Sequence, residues 1–191
     1  MPKVVITDFT FKTLEIEEVI LRDGGCDVVG AQCKTPEELI HLVADADAVI
    51  TQFAPVNGDV IHAMASAKAI VRYGIGFDNI DVEAARERGI PDCNIPDYCI
   101  DEVADHALAF ILATTRGLRP NCAHIPSGEW GLAVPLEEMR ALTDLTVGII
   151  GLGRIGRAVA DRLRAFNCQL VAFDPVTSQD DEQKLGSGLD L

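Results

Sequence analysis

Leu145-Thr-Val-Gly-Ile-Ile-Gly-Leu-Gly-Arg-Ile-Gly-Arg-Ala-Val-Ala-Asp-Arg-Leu-Arg-Ala-Phe-Asn-Cys-Gln-Leu-Val-Ala-Phe-Asp174 is the stretch that decides the fold. An apolar run, Val147 to Ile150, leads into Gly151, Gly153 and Gly156, spaced G-x-G-x-x-G. Ile155, Val159, Leu163 and Phe166 then recur at helical spacing. A second apolar run, Leu170 to Phe173, ends at Asp174, 18 positions after Gly156. Strand, glycine turn, helix, strand and acid in this order form the pattern of a dinucleotide-binding βαβ unit.

Each glycine of that pattern has a physical role. Gly151 permits the tight turn out of the strand, Gly153 removes the Cβ that would stand against a pyrophosphate, and Gly156 lets helix and strand approach. N–H groups of the first helical turn, near Arg154 and Ile155, point at the phosphates, where the helix dipole favours negative charge. We place Arg154 facing the phosphates and Arg157 on the surface. Asp174 would accept hydrogen bonds from the adenine ribose hydroxyls. A carboxylate there repels a 2′-phosphate, so NAD is favoured over NADP. A purely structural glycine turn is the competing reading, and the strand, helix and acid around the motif weigh against it.

Working outward, composition narrows the function classes. The chain has 191 residues, a net charge of −14 and 48% hydrophobic residues, enough for a real core. The acidic balance opposes nucleic acid and anionic membrane surfaces, which need clustered Lys and Arg. Lys3, Asp8, Lys12, Glu15, Glu17 and Glu18 interrupt any signal-peptide core, and no apolar run approaches a membrane span. The six cysteines (Cys26, Cys33, Cys93, Cys99, Cys122 and Cys168) lack C-x-x-C spacing. They read as reduced thiols of a cytoplasmic protein, and no metal site is expected.

Upstream of the motif, strand and helix patterns alternate. Strands are expected at Val4 to Ile6, Asp27 to Gly30, Ala48 to Thr51, Ile70 to Val71 and Ile90 to Asn94. Helices are expected at Leu14 to Leu21, from Thr35-Pro36-Glu37-Glu38, at Asp59 to Met64 and at Asp81 to Arg88. Such repeats imply a parallel sheet covered by helices. Ile100 to Leu118 is the longest helix candidate; Val103, Ala107, Phe110, Ile111 and Thr114 recur along it and are read as mostly core. Residues 119–144 read as irregular, and Asp180 to Leu185 as a weak helix. The domain division is therefore 1–99 and 100–191, the second holding only the opening βαβ of a nucleotide-binding domain.

Four segments together resemble the D-isomer-specific 2-hydroxyacid dehydrogenases. They are Val71-Arg-Tyr-Gly-Ile-Gly-Phe-Asp-Asn-Ile-Asp81; Asn94 to Cys99 with Glu102 to Ala107; Ser127 to Trp130; and the glycine motif itself. The Asn94 to Cys99 wording looks nearest to the corepressor-like branch. The resemblance implies an α/β architecture: a flavodoxin-like substrate domain, then an incomplete Rossmann NAD-binding domain. It implies hydride transfer between C2 of a small 2-hydroxy or 2-keto acid and nicotinamide, and a homodimer built through the segment after the long helix. The loop Arg72, Tyr73, Gly74 and Ile75 would face the substrate carboxylate, its N–H groups forming an anion-binding concavity. Val103 lies where the family's helix passes the nicotinamide, and core packing is an equal reading of it. His106 is set aside as an acid/base.

The family's catalytic Arg, Glu and His lie further along than Leu191, so no catalytic residue is assigned within this chain. The alternative function is a catalytically inactive NAD(H)-binding fragment or corepressor-like binding module. One departure from the family pattern is Asp92, which must lie at an exposed strand end or under strain.

Overall fold

The structure is a computed structural model that describes residues 1–176 and the short strand Leu189–Asp190. The weak helix read at Asp180 to Leu185 lies outside the described residues. The chain divides into two compact units, Met1–Tyr98 and Cys99–Leu191.

The first unit alternates β1 (Lys3–Ile6), α1 (Glu15–Asp23), β2 (Asp27–Gly30), α2 (Pro36–Val43), β3 (Ala48–Thr51), α3 (Gly58–Ala63), β4 (Ile70–Arg72), α4 (Val82–Glu87) and β5 (Asp92–Cys93). All five strands are parallel, in the order β2-β1-β3-β4-β5. This is the flavodoxin-like order, whose switch point lies between β1 and β3. Period-two side-chain alternation sends Val5, Val49 and Ile70 to one face. There they meet Leu39 and Val43 of α2, Val60 and Ile61 of α3, and Ala84 and Ala85 of α4 in the main core. The opposite face holds a smaller cluster, Ile6 and Val28 beneath Leu14, with Leu21 of α1 against it.

Local chemistry starts these helices where the sequence puts them. Thr35 caps α2: its hydroxyl accepts the Glu38 N–H, and the Glu38 carboxylate accepts the Thr35 N–H. Asn57 and Asp81 accept the N–H groups of Val60 and Ala84 at 3.1 and 3.0 Å, capping α3 and α4. β5 is shorter than the Ile90 to Asn94 run suggests. It is a two-residue edge strand with Asp92 only half buried, so the carboxylate has a route to water and needs no internal partner.

The second unit contains α5 (Ile100–Thr115), α6 (Leu118–His124), three single 3₁₀ turns, β6 (Thr146–Ile150), α7 (Arg154–Arg164), β7 (Gln169–Phe173) and β8 (Leu189–Asp190). Its strands are parallel in the order β6-β7-β8. Ile149, Leu152, Val159, Ala160, Leu163, Leu170 and Ala172 form its core. Arg162 ties α7 to α5 through Asp101 at 2.8 Å and Asp105 at 2.5 Å.

Two expectations about this region are corrected. The long helix ends at Thr115 rather than Leu118, because Gly117 turns left-handed at φ 58°. A new helix, α6, then runs through Pro120 in a segment read as irregular. Proline is tolerated there because first-turn N–H groups have no intrahelical partner anyway. Nor is α5 mostly core. Only Ala104 is fully buried; Ala107, Leu108, Ile111 and Leu112 pack partly against the core. Val103, Phe110 and Thr114 share the other side of the helix and stay exposed.

Among the described residues no helix is long and apolar enough to cross a membrane. All six cysteines are free thiols. Leu39, fully buried between α2 and the sheet, sets a test of the main core. Leu39→Ala should cost about 2–5 kcal/mol in urea unfolding. Ile16→Ala, at an exposed position on α1, should change stability by less than about 0.5 kcal/mol.

Candidate functional site

The glycine motif forms the turn from β6 into α7. Gly151 has φ +92°, a region that side chains rarely enter. A Cβ built on Gly156 would lie 2.0 Å from the Gly151 carbonyl oxygen, so only glycine lets the helix come down on the turn. A Cβ on Gly153 would meet none of the described residues within 4 Å. The protein therefore places no steric demand for glycine at 153, and the bare backbone there faces open space. Gly153 caps α7 with no side-chain hydrogen bond. The N–H groups of Arg154, Ile155 and Gly156 open a helix whose N-cap residue has no side chain, the arrangement that receives phosphate.

Asp174 sits beside this turn. Its carboxylate accepts the Leu152 N–H at 2.6 Å and the Val176 N–H at 2.9 Å. The acid at the end of β7 is thereby fixed against the glycine loop. Arg157 is not a plain surface residue as its pattern suggested: its Nε donates to the Leu152 carbonyl at 2.8 Å. Leu152 is thus held at both ends, by Asp174 and Arg157. No sequence rule marks Arg157, since the bond depends on how far the loop folds back over the helix. Arg154 opens α7 and is exposed, while Ile155 is half buried against the core. These groups are donors and a carboxylate around a side-chain-free turn, a chemistry that fits a dinucleotide pyrophosphate and ribose. Val103 lies elsewhere, on the exposed side of α5, lining a shallow hollow with Cys99, Glu102, His106 and Phe110.

The second predicted cluster follows β4. Gly74 has φ +139°, and a Cβ there would collide with the Arg72 Nη1 at 1.9 Å. The missing side chain is what lets the Arg72 guanidinium fold back over the loop. Arg72 Nε is buried and has no hydrogen-bond partner among the described residues. Ile95 N–H donates to the Gly74 carbonyl at 2.9 Å, and Asn94 Nδ2 to the Ile75 carbonyl at 2.6 Å, so the loop is anchored from behind. Tyr73 turns away: its hydroxyl donates to Glu17 at 3.1 Å and its N–H to the Thr51 carbonyl at 2.8 Å. Burial, reinforced by the Glu17 charge, pushes its phenol well above the usual range. The structure thus keeps Arg72, Gly74 and Ile75 together on the loop, while the Tyr73 side chain anchors it to α1.

Sequence reasoning missed Asp8, which is 9% exposed at the end of β1. Burial alone would raise its carboxyl. The N–H groups of Gln52 and Phe53 and the Thr7 hydroxyl outweigh that and hold it below the ordinary carboxylate value. An acid directly after an apolar strand run was its only available signal. His106 packs edge-on to Phe110, at 4.5 Å between ring centres. Among the described residues no histidine is bonded to a carboxylate.

Residues 4–177 match the family described as D-isomer specific 2-hydroxyacid dehydrogenase, catalytic domain. The chain belongs to this family. It is 34% identical to D-3-phosphoglycerate dehydrogenase of Methanocaldococcus jannaschii, covering 97% of this chain and 34% of that protein. It is 35% identical to glyoxylate reductase of Pyrococcus furiosus, covering 79% and 47%. The chain thus spans a third to a half of the length of these relatives. D-lactate dehydrogenase of Aquifex aeolicus, solved with NAD and lactic acid, shares the fold with a TM-score of 0.85. It is 24% identical and is matched over 97% of this chain and 54% of its own.

Asp8 gives a pH signature. A carboxylate held ionised by the fold stabilises it fully above the unfolded pKa of about 3.9, and that contribution is lost as pH falls through the lower folded value. The stability margin of the native chain over Asp8→Asn, followed by urea unfolding, should narrow steadily between about pH 5 and about pH 2.

Proposed function

We propose that this chain supplies the NAD-binding turn and the substrate-carboxylate loop of a D-2-hydroxyacid dehydrogenase. The observation that carries the reading is Gly153. Its missing Cβ serves no packing need in the protein, yet it opens the space in front of the N-terminus of α7. A bound pyrophosphate explains that vacancy of purpose. Asp174, fixed beside the turn, would accept the ribose hydroxyls and repel a 2′-phosphate, which selects NAD over NADP.

In the first unit, the Arg72 guanidinium and the Ile75 N–H would hold the carboxylate of a small 2-hydroxy or 2-keto acid, while the Gly74 N–H, donating to the Arg72 carbonyl at 2.9 Å, shapes the turn. Arg72 is half-buried, and a guanidinium is a strong donor for a carboxylate oxygen. Residues 1–99 would then act as the substrate domain and 100–191 as the opening part of the nucleotide domain. A nicotinamide bound at the glycine turn would supply the hydride acceptor or donor for C2 of the acid, with the hydroxyl oxygen losing or gaining its proton in balance. The described residues bind and orient; the proton-transferring histidine, its glutamate and a second arginine would lie beyond them. The six free thiols are in keeping with a cytoplasmic protein.

The competing reading is an inactive NAD(H)-binding module. Turnover of NADH with glyoxylate, pyruvate or hydroxypyruvate by the protein at its natural length separates the two. Binding itself is tested by NADH fluorescence. Gly153→Ala should leave the melting temperature within about 2 °C but weaken NADH binding about tenfold or more. Gly156→Ala should lower both, because its methyl group meets backbone. Unchanged affinity in Gly153→Ala would remove the reading.

The homodimer is part of the same proposal. Phe110 is 63% exposed and Leu118, Ile125 and Trp130 are exposed beyond it, a run of large apolar groups that solvent does not favour. Sedimentation should give a dimer for the native protein and a monomer for Phe110→Glu.

A further inference from the structure

The carboxyl ends of β1 and β3 carry a hydrogen-bonded hub that reaches toward Arg72. Asp8 Oδ1 accepts the Thr7 hydroxyl at 2.9 Å, the Thr51 hydroxyl at 3.2 Å and the Gln52 N–H at 2.9 Å. Asp8 Oδ2 accepts the Phe53 N–H at 2.7 Å. Gln52 in turn accepts the Thr10 N–H at 2.6 Å, joining the turn after β1 to the turn after β3. The product of this clamping is Phe53. The Phe53 residue stays 62% exposed with Arg72 beside it. The Arg72 Cζ stands 5.6 Å from its ring centre, within cation–π range.

Arg72 is thus bounded by Phe53 and by the side-chain-free Gly74, where its Nη1 occupies the place of a Cβ. A free arginine has many rotamers, and ordering one costs conformational entropy at the moment of binding. A guanidinium already set between an aromatic shelf and a bare glycine has met most of that cost beforehand. We propose that Asp8 is a positioning residue for the substrate carboxylate: by clamping the turn after β3 it holds Phe53 as the shelf that keeps Arg72 folded over Gly74. The proposal rests on the reading of Arg72 as a carboxylate receptor.

Asp8→Asn tests this selectively. The amide keeps one acceptor oxygen for Thr7, Thr51 and Gln52 but turns an NH₂ toward the Phe53 N–H, donor against donor. Phe53→Leu removes the shelf while keeping apolar bulk. Two readouts are taken on the full natural protein. The first needs no ligand: the NMR shift of the Arg72 Nε–H, displaced by the Phe53 ring current. The second is calorimetric binding of oxalate, a planar carboxylate probe, in the presence of NADH.

The ring-current displacement is expected to vanish in both variants. Oxalate affinity should fall about fivefold in each, and the double variant should be no weaker than either single one. NADH affinity should not move. An Asp8→Asn protein that melts lower but keeps the Arg72 shift and the oxalate affinity overturns the proposal, since Asp8 would then be structural alone. Loss of the shift in a protein whose native form binds no oxalate upholds the shelf geometry and overturns the carboxylate reading on which the substrate role rests.

Discussion

In the second unit α7 comes down on the turn from β6, with Gly156 set against the Gly151 carbonyl where a Cβ would stand at 2.0 Å. That contact brings the helix N-terminus down over the carboxyl end of β6. It also fixes the direction in which the first-turn N–H groups point. Everything proposed for this unit follows from it: the exposed backbone at Gly153, the Leu152 amide reaching Asp174, and Arg157 closing on Leu152 from the other side. The glycines at 151, 153 and 156 thus answer three different demands: positive φ, access and packing.

The first unit solves its problem with charge rather than with missing side chains. A buried carboxylate at the switch point between β1 and β3 is costly unless every lone pair is used. Asp8 approaches that condition: Oδ1 accepts two hydroxyls and the Gln52 N–H, and Oδ2 accepts the Phe53 N–H. A hydrogen-bonded polar network rigidifies what it touches, and here it touches the turns that frame the loop after β4. Ligands of open α/β sheets bind at such switch points because the loops diverge there.

Much of this architecture was legible in the sequence. Short Val- and Ile-rich runs separated by capped helices gave the parallel sheet, and the Thr35 capping box is present as its spacing implies. The G-x-G-x-x-G turn and the acid at the end of β7 lie side by side, as the spacing requires. What escaped reading depended on three-dimensional choice. Periodicity along α5 shows apolar positions but not which side meets α7, so Phe110 was assigned to a core that it does not enter, and of the two equal readings of Val103 the core one fails. Pro120 looked like a breaker, yet a proline within a helix's first turn breaks nothing. Tyr73 shares a loop with Arg72 but points to Glu17, because neighbouring residues of an extended segment face opposite ways. Asp8 gave no periodic signal, since its partners lie more than 40 residues away.

The measurement that bears most directly on this account is amide-resolved NMR of the natural protein titrated with NADH. The account predicts that the largest shifts fall on Gly153, Arg154, Ile155 and Gly156, with Asp174 and Leu152 beside them. NADPH should move the same amides only at far higher concentration. Shifts centred on other residues, or equal responses to NADH and NADPH, would contradict it.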